Sequence, residues 1–118
     1  MAEGIDTQIA TTFKTGTAIR NTSNTTEGTC SWLQKKVNNY FLTEIFWDLQ
    51  INGTKDSSAP IVLFSNIPSS GKEVVALSKG ESSFGDGTGT IIISNNELKA
   101  QYCGNISGHW YGSTTYLS

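Results

Sequence analysis

The chain has 118 residues, of which 36% are hydrophobic and 15% charged, and its formal net charge is −2. This length suits one domain, residues 1–118, and the composition excludes both a disordered acidic tail and a membrane span. Eight Lys and Arg residues against ten Asp and Glu also exclude the basic surface that nucleic-acid binding requires.

The first third of the chain predicts three short β-strands separated by polar turns. They cover residues 7–13, 17–20 and 30–37, with a polar stretch at 21–28 between the last two. The segment 31–42 fits a short helix as well as a strand, and both alternatives stay open. Lys35 and Lys36, the only basic pair, are interpreted as part of a solvated turn.

Residues 44–51 form the clearest predicted strand. Hydrophobic and polar side chains alternate there, which is typical of a strand with one buried face. Trp47 lies on the hydrophobic face, so we expect it in the core. Glu44 and Asp48 lie on the opposite face, which we expect to be exposed. The Asn52-Gly53 pair that follows predicts a turn into the next strand.

The second half of the chain repeats this pattern of short strands and turns. Glycines 80, 85, 87 and 89 mark a long reversal, and residues 108–118 form a terminal strand. About eight short strands with turns between them predict an all-β fold, an antiparallel β-sandwich, with a small barrel as the alternative. The further predicted strands are 61–64, 72–77, 90–94 and 98–103.

The terminal strand contains the candidate ligand-binding residues. It combines the only histidine with three large rings, at His109, Trp110, Tyr111 and Tyr116. Such rings can stack on a sugar or surround an ammonium head group. Trp110 and Tyr116 are an even number of residues apart, so they share one strand face, and core packing is the alternative for Trp110. Tyr111 points to the opposite face, where we expect exposure.

The sequence indicates neither catalysis nor a metal site. No Gly-x-Ser-x-Gly motif accompanies His109, and the glycine-rich segment 85–90 lacks the lysine of a phosphate-binding loop. We therefore predict a protein that is not an enzyme and that uses no cofactor and no metal. Cys30 and Cys103 are too far apart for a metal knuckle, and they are either buried thiols or a possible disulfide.

The amino-terminal residues lack the basic region and apolar run of a secretory signal. We expect the chain to be made without a signal peptide and to be cytoplasmic in the producing cell. Action outside the cell after release remains compatible with this expectation.

Segments in the second half of the chain resemble the aegerolysin family. Residues 67–76, 80–83 and 87–91 combine a proline-containing turn, a strand, a polar loop and a Gly-Thr-Gly-Thr entry into an apolar strand. Residues 102–104 and 110–113 add an aromatic stretch with Cys and Gly. The resemblance implies a small acidic β-sandwich that binds membrane lipids, notably in sphingolipid-containing bilayers. It further implies a cytolytic or insecticidal toxin component that acts with a larger pore-forming protein.

Two alternatives to lipid binding remain open at this point. A soluble carbohydrate-binding lectin would use the same rings on a sugar, with Asn and Ser side chains as hydrogen-bonding groups. A protein-binding inhibitor or immunity protein would recognise its partner through an edge strand. The partner is thus a membrane lipid or glycan, or another protein, and the sequence does not predict the oligomeric state.

Overall fold

The computed structural model describes residues 13–80, 88–102 and 104–118. These residues form eleven β-strands and no helix, which confirms the all-β prediction. The strands are β1 (Phe13–Thr17), β2 (Ile19–Arg20), β3 (Thr25–Val37), β4 (Tyr40–Ile51), β5 (Lys55–Asp56), β6 (Ile61–Ser65), β7 (Val74–Gly80), β8 (Thr88–Ser94), β9 (Glu97–Gln101), β10 (Asn105–Ile106) and β11 (His109–Leu117).

Nine of the strands form one antiparallel sheet that curls almost into a closed barrel. Their order is β1-β3-β4-β11-β7-β8-β9-β6-β2, and β10 and β5 form a separate small sheet. The two edge strands, β1 and β2, are separated in sequence only by Ala18. The Ala18 N–H donates a hydrogen bond to the Cys30 carbonyl oxygen at 2.8 Å. This continuous segment therefore brings the two edges of the sheet together.

The longest unit is the β3–β4 hairpin, whose strands have 13 and 12 residues. Asn38 and Asn39 form its turn, and Asn38 has a φ of 56°, a left-handed conformation that asparagine tolerates well. The helix alternative for residues 31–42 is wrong, because this segment pairs along β3 and β4. Lys35 and Lys36 lie in β3 and not in the turn itself.

The sheet opens between β11 and β7. These strands pair only at Trp110 with Gly80 and at Tyr111 with Lys79, and further along they diverge. The loop between β6 and β7 covers the opening, where the Tyr116 hydroxyl donates a hydrogen bond to the Pro68 carbonyl oxygen at 2.6 Å. The divergence gives the sheet two facing layers, as in a sandwich.

The core lies between these layers, and the alternation in β4 supplies one wall of it. Trp47 is only 2% exposed, as expected, and Asp48 on the opposite face is exposed. Complete burial of a large hydrophobic side chain contributes about 1.5–3 kcal/mol. The core includes Cys30, Ile45, Trp47, Leu49, Ile51, Leu63, Phe64, Ile67, Ile91, Ile93, Leu98, Ala100, Ile106, Trp110 and Tyr116.

The other predicted strands correspond to observed ones with shifted ends. The predictions at 61–64, 72–77, 90–94 and 98–103 match β6, β7, β8 and β9. The stretch predicted as polar connection at 21–28 contains the first four residues of β3. The predicted strand 7–13, apart from residue 13, and glycines 85 and 87 lie outside the described residues.

Candidate functional site

The four predicted site residues lie on two opposite faces of β11. Trp110 is 0% exposed and Tyr116 is 5% exposed, so both rings belong to the core. For Trp110, core packing was the alternative to ligand contact that the sequence left open. Tyr111 faces outward and is 40% exposed. Its ring centroid lies 5.0 Å from that of His109, at an interplanar angle of 33°. The structure therefore brings together only His109 and Tyr111 on the surface.

His109 forms one side of a depression on the outer face of the sheet, which we call the outer groove. The groove has a volume of about 420 Å³. The Nε2 atom of His109 lies 2.5 Å from Oδ1 of Asp48, and Tyr111 pairs across the strands with the same aspartate. The lining residues are Glu27, Gly28, Thr29, Asp48, Leu49, Gln50 and His109.

A close approach of β3 and β4 at Gly28 forms the floor of the outer groove. Gly28 has a φ of +145°, and a Cβ there would lie 2.7 Å from both the Asp48 carbonyl oxygen and the Leu49 Cα. Any side chain would therefore strain the backbone and force the two strands apart. The register also shifts between Thr25 and Glu27. Glycine thus keeps the floor at the level of the backbone.

A second surface lies at the turn of the β3–β4 hairpin, and we call it the hairpin end. Its apolar side chains are exposed by 43% at Val37, 59% at Tyr40, 39% at Phe41 and 55% at Leu117. Leu117 belongs to this end because it pairs with Leu42. Exposed lysines accompany these side chains, at Lys14, Lys35, Lys36 and Lys72.

The hairpin end was not among the sites predicted from the sequence. The available signal was the Asn38-Asn39 pair, because two turn-forming residues between Val37 and Tyr40 are typical of a tight hairpin. Apolar residues beside such a turn lie at the tip of two strands, beyond the part of the hairpin that packs on the core, so their side chains can be exposed.

A depression of about 380 Å³ lies beside the hairpin end. It is lined by Tyr40, Ser70, Gly71, Lys72, Leu117 and Ser118. The Ser70 hydroxyl donates a hydrogen bond to the Lys72 carbonyl oxygen at 2.5 Å, which holds the loop before β7 in place. The exposed Lys72 side chain thus extends from a fixed piece of backbone.

Two titratable groups in the core remain uncharged at neutral pH. Burial raises the pKa of the Cys30 thiol to about 12. Burial also raises the pKa of Tyr116 to about 12, partly opposed by a hydrogen bond with Thr43. Cys30 carries a free thiol, and Cys103, the other residue of the possible disulfide, lies outside the described residues. Cys30 and Tyr116 therefore contribute packing to the core.

Across the described ranges, no group of three or more His, Cys, Asp or Glu side chains is placed to hold a metal ion. The same part of the chain contains no helix with the length and hydropathy needed to cross a membrane. No protein-family model, curated protein or solved structure matches the chain.

Proposed function

We propose that the protein binds membrane lipids and that the hairpin end is the surface that contacts the bilayer. The supporting observation is the grouping of four exposed apolar side chains with four lysines around one turn. A protein surface in water gains nothing from exposing such side chains together, whereas a bilayer interface buries them.

The two aromatic residues suit the boundary between head groups and acyl chains. Tyr40 has an apolar ring with a polar hydroxyl, and rings of this kind concentrate at membrane interfaces. Phe41 follows Tyr40 directly in β4, and Val37 pairs with Tyr40 across the turn. Entry of the turn into the interface would bury these side chains together.

The lysines add an electrostatic contribution. Lys36 pairs with Phe41, and Lys35 with Leu42, so both are next to the apolar tip. Lysines close to an anionic bilayer surface contribute about 1 kcal/mol each, and the contribution is screened by salt. Glu73, adjacent to Lys72 in sequence, opposes a small part of this attraction. Binding should therefore weaken, without disappearing, as the salt concentration rises.

The resemblance to aegerolysins indicates which bilayers to test first. That resemblance implies sphingolipid-containing membranes and a larger pore-forming protein as partner. We therefore include in the proposal a role as a cytolytic or insecticidal toxin component. The edge-strand alternative draws less support, because in the described part of the chain β1 and β2 have five and two residues and meet each other through Ala18.

Two tyrosines provide a matched test of the hairpin end. Tyr40 and Tyr111 are both exposed, at 59% and 40%. Tyr111 pairs with Asp48, eight residues from Tyr40 along the chain, so the two rings are separated by about 26 Å of strand at about 3.3 Å per residue. Tyr40→Ser and Tyr111→Ser therefore make the same chemical change at two distant places.

The expected effect follows from the exposed area of the Tyr40 ring. A tyrosine buries about 200 Å² when fully covered, so 59% exposure leaves about 120 Å². At about 25 cal/mol per Å², burying half of this area contributes about 1.5 kcal/mol, or roughly a tenfold change in affinity.

The assay is sedimentation with liposomes of phosphatidylcholine and anionic phosphatidylserine, with and without sphingolipid, at two salt concentrations. Wild type and Tyr111→Ser should pellet equally, and Tyr40→Ser should bind about tenfold more weakly. Equal binding by all three proteins would remove the hairpin end from the proposal. No binding of the wild type to any liposome would refute lipid binding itself.

A further inference from the structure

We propose that the outer groove is a binding site for a neutral sugar. This inference is independent of the proposed membrane contact, because it concerns the opposite end of the β3–β4 hairpin. It rests on the geometry of two rings, on the arrangement of the hydrogen-bonding side chains and on the charge of the groove.

His109 lines the outer groove, and Tyr111 lies against His109 at the edge of the groove. We call this pair of rings the aromatic ledge. Their centroids are 5.0 Å apart and their planes are tilted by 33°, so the two rings pack against each other in an offset arrangement, and Tyr111, which is 40% exposed, leaves ring surface open beside the groove. A pyranose ring has a face of C–H groups of similar extent, which packs on an aromatic ring as other apolar groups do. The contact of His109 with Asp48, at 2.5 Å, holds the imidazole ring in this orientation.

Polar side chains beside the ledge stand in two rows across three strands. One row runs through Glu27, Gln50 and His109, and the next contains Thr29 and Asp48. Side chains directly opposite each other on neighbouring strands lie about 4.5–5.5 Å apart. Carboxylates accept hydrogen bonds, while the amide and the hydroxyl both donate and accept them. Neighbouring hydroxyl groups of a sugar need this mixture at short spacing.

The charge of the groove disfavours other ligand classes. Glu27 and Asp48 repel a phosphate or carboxylate ligand. Within the described part of the chain, Lys79, which pairs with Tyr111, and a protonated His109 offset part of this charge. Among the described residues no three metal-ligating side chains converge. An uncharged ligand with many hydroxyl groups avoids the repulsion and still uses both carboxylates as acceptors.

The floor of the groove is suited to hold a ligand in place. Gly28 keeps the backbone of β3 against that of β4, so no side chain at this position occupies the floor of the groove. Sites that are already formed in the free protein lose less conformational entropy on binding.

The first experiment screens the wild-type protein on an array of neutral glycans. The strongest glycan is then titrated against four proteins by calorimetry, with saturation-transfer NMR to map its contact protons. Wild type and Tyr40→Ser should bind it equally, whereas Tyr111→Ser should lose at least tenfold in affinity. Asp48→Asn should also weaken binding, because the amide replaces one acceptor with a donor.

The proposal would be overturned by any of three results. The first is an array and NMR screen without binding at millimolar sugar, measured on protein that circular dichroism shows to be folded. The second is a glycan whose affinity is the same for Tyr111→Ser and wild type. The third is binding of tetramethylammonium, used as a probe, at His109 and Tyr111 in the absence of sugar binding, which would assign the groove to an organic cation. Lipid binding by Tyr111→Ser is measured in the separate sedimentation assay, so a failure of the sugar-binding proposal leaves the membrane proposal intact.

Discussion

Ser78 occupies the position where β7 and β11 separate, and its replacement by alanine should destabilise the fold. The side chain is 1% exposed. Its Oγ atom accepts a hydrogen bond from the Trp47 indole N–H at 2.8 Å. The same hydroxyl lies 3.0 Å from the Lys79 carbonyl oxygen and 3.2 Å from that of Tyr111. The Ser78 hydroxyl thus takes the place of the backbone pairing between β7 and β11, which ends at Lys79 and Tyr111.

The size of the effect follows from the groups that lose their partner. In Ser78→Ala the buried Trp47 N–H has no acceptor, and an unsatisfied buried polar group costs about 1–3 kcal/mol. The Tyr111 carbonyl oxygen also loses the nearby hydroxyl. We expect a loss of about 2–3 kcal/mol in unfolding free energy, against a total of roughly 5–15 kcal/mol for a domain.

Urea unfolding followed by circular dichroism measures this loss, with Ser113→Ala as the matched control because Ser113 is exposed. A double-mutant cycle with Trp47→Phe isolates the hydrogen bond from the loss of packing. The cycle should give a coupling energy of about 1–2 kcal/mol. If Ser78→Ala costs less than about 0.5 kcal/mol, the range of ordinary surface substitutions, the assigned role of this bond is wrong.

Three further predictions concern the core. Gly112→Ala should destabilise the protein by about 1–3 kcal/mol, because the new Cβ would lie 2.7 Å from Cζ2 of Trp47; unchanged urea unfolding would contradict this packing. The pKa of Tyr116 is raised from 10.0 to about 12, so the folded state holds its proton more tightly, and stability should fall between pH 10 and 12. At each pH, the unfolding free energy of Tyr116→Phe in urea is subtracted from that of the wild type to isolate this decrease. A difference between the two proteins that stays constant from pH 10 to 12 would contradict the prediction. In a Cys103→Ser background, Cys30 should react with a thiol reagent at pH 8 only after unfolding, because its pKa is about 12; rapid labelling of the folded protein would show that the thiol is accessible.

Local alternation in the sequence predicted the faces of β4 and β11 correctly. Trp47 is in the core, Tyr111 is exposed, and Trp110 and Tyr116 share the buried face. This works because successive side chains of a strand point to opposite sides. The pattern did not decide between helix and strand for residues 31–42, where hydrophobic and polar residues follow neither period clearly.

The surfaces could not be predicted because they depend on which strands are neighbours. Asp48 and His109 are separated by 61 positions in sequence and meet only because β4 pairs with β11. Similarly, Tyr40 and Leu117 line one depression through the same pairing. Alternation within one strand carries no information on such long-range pairing. Tyr40 and Phe41 lay in the segment 31–42, which was open between helix and strand, and nothing in the sequence indicated that they belong to a surface.

The most direct test of the membrane proposal is a depth measurement with Tyr40→Trp. Trp47 and Trp110 are buried in the core, and Trp32 is half-buried and packed against it, so the added indole at the hairpin end would be the tryptophan most sensitive to lipid. With sphingolipid-containing liposomes, we expect a blue shift of the emission and quenching by lipids brominated near the head group, both absent from the wild type. Unchanged emission of Tyr40→Trp on protein that sediments with the liposomes would show that another surface contacts the bilayer.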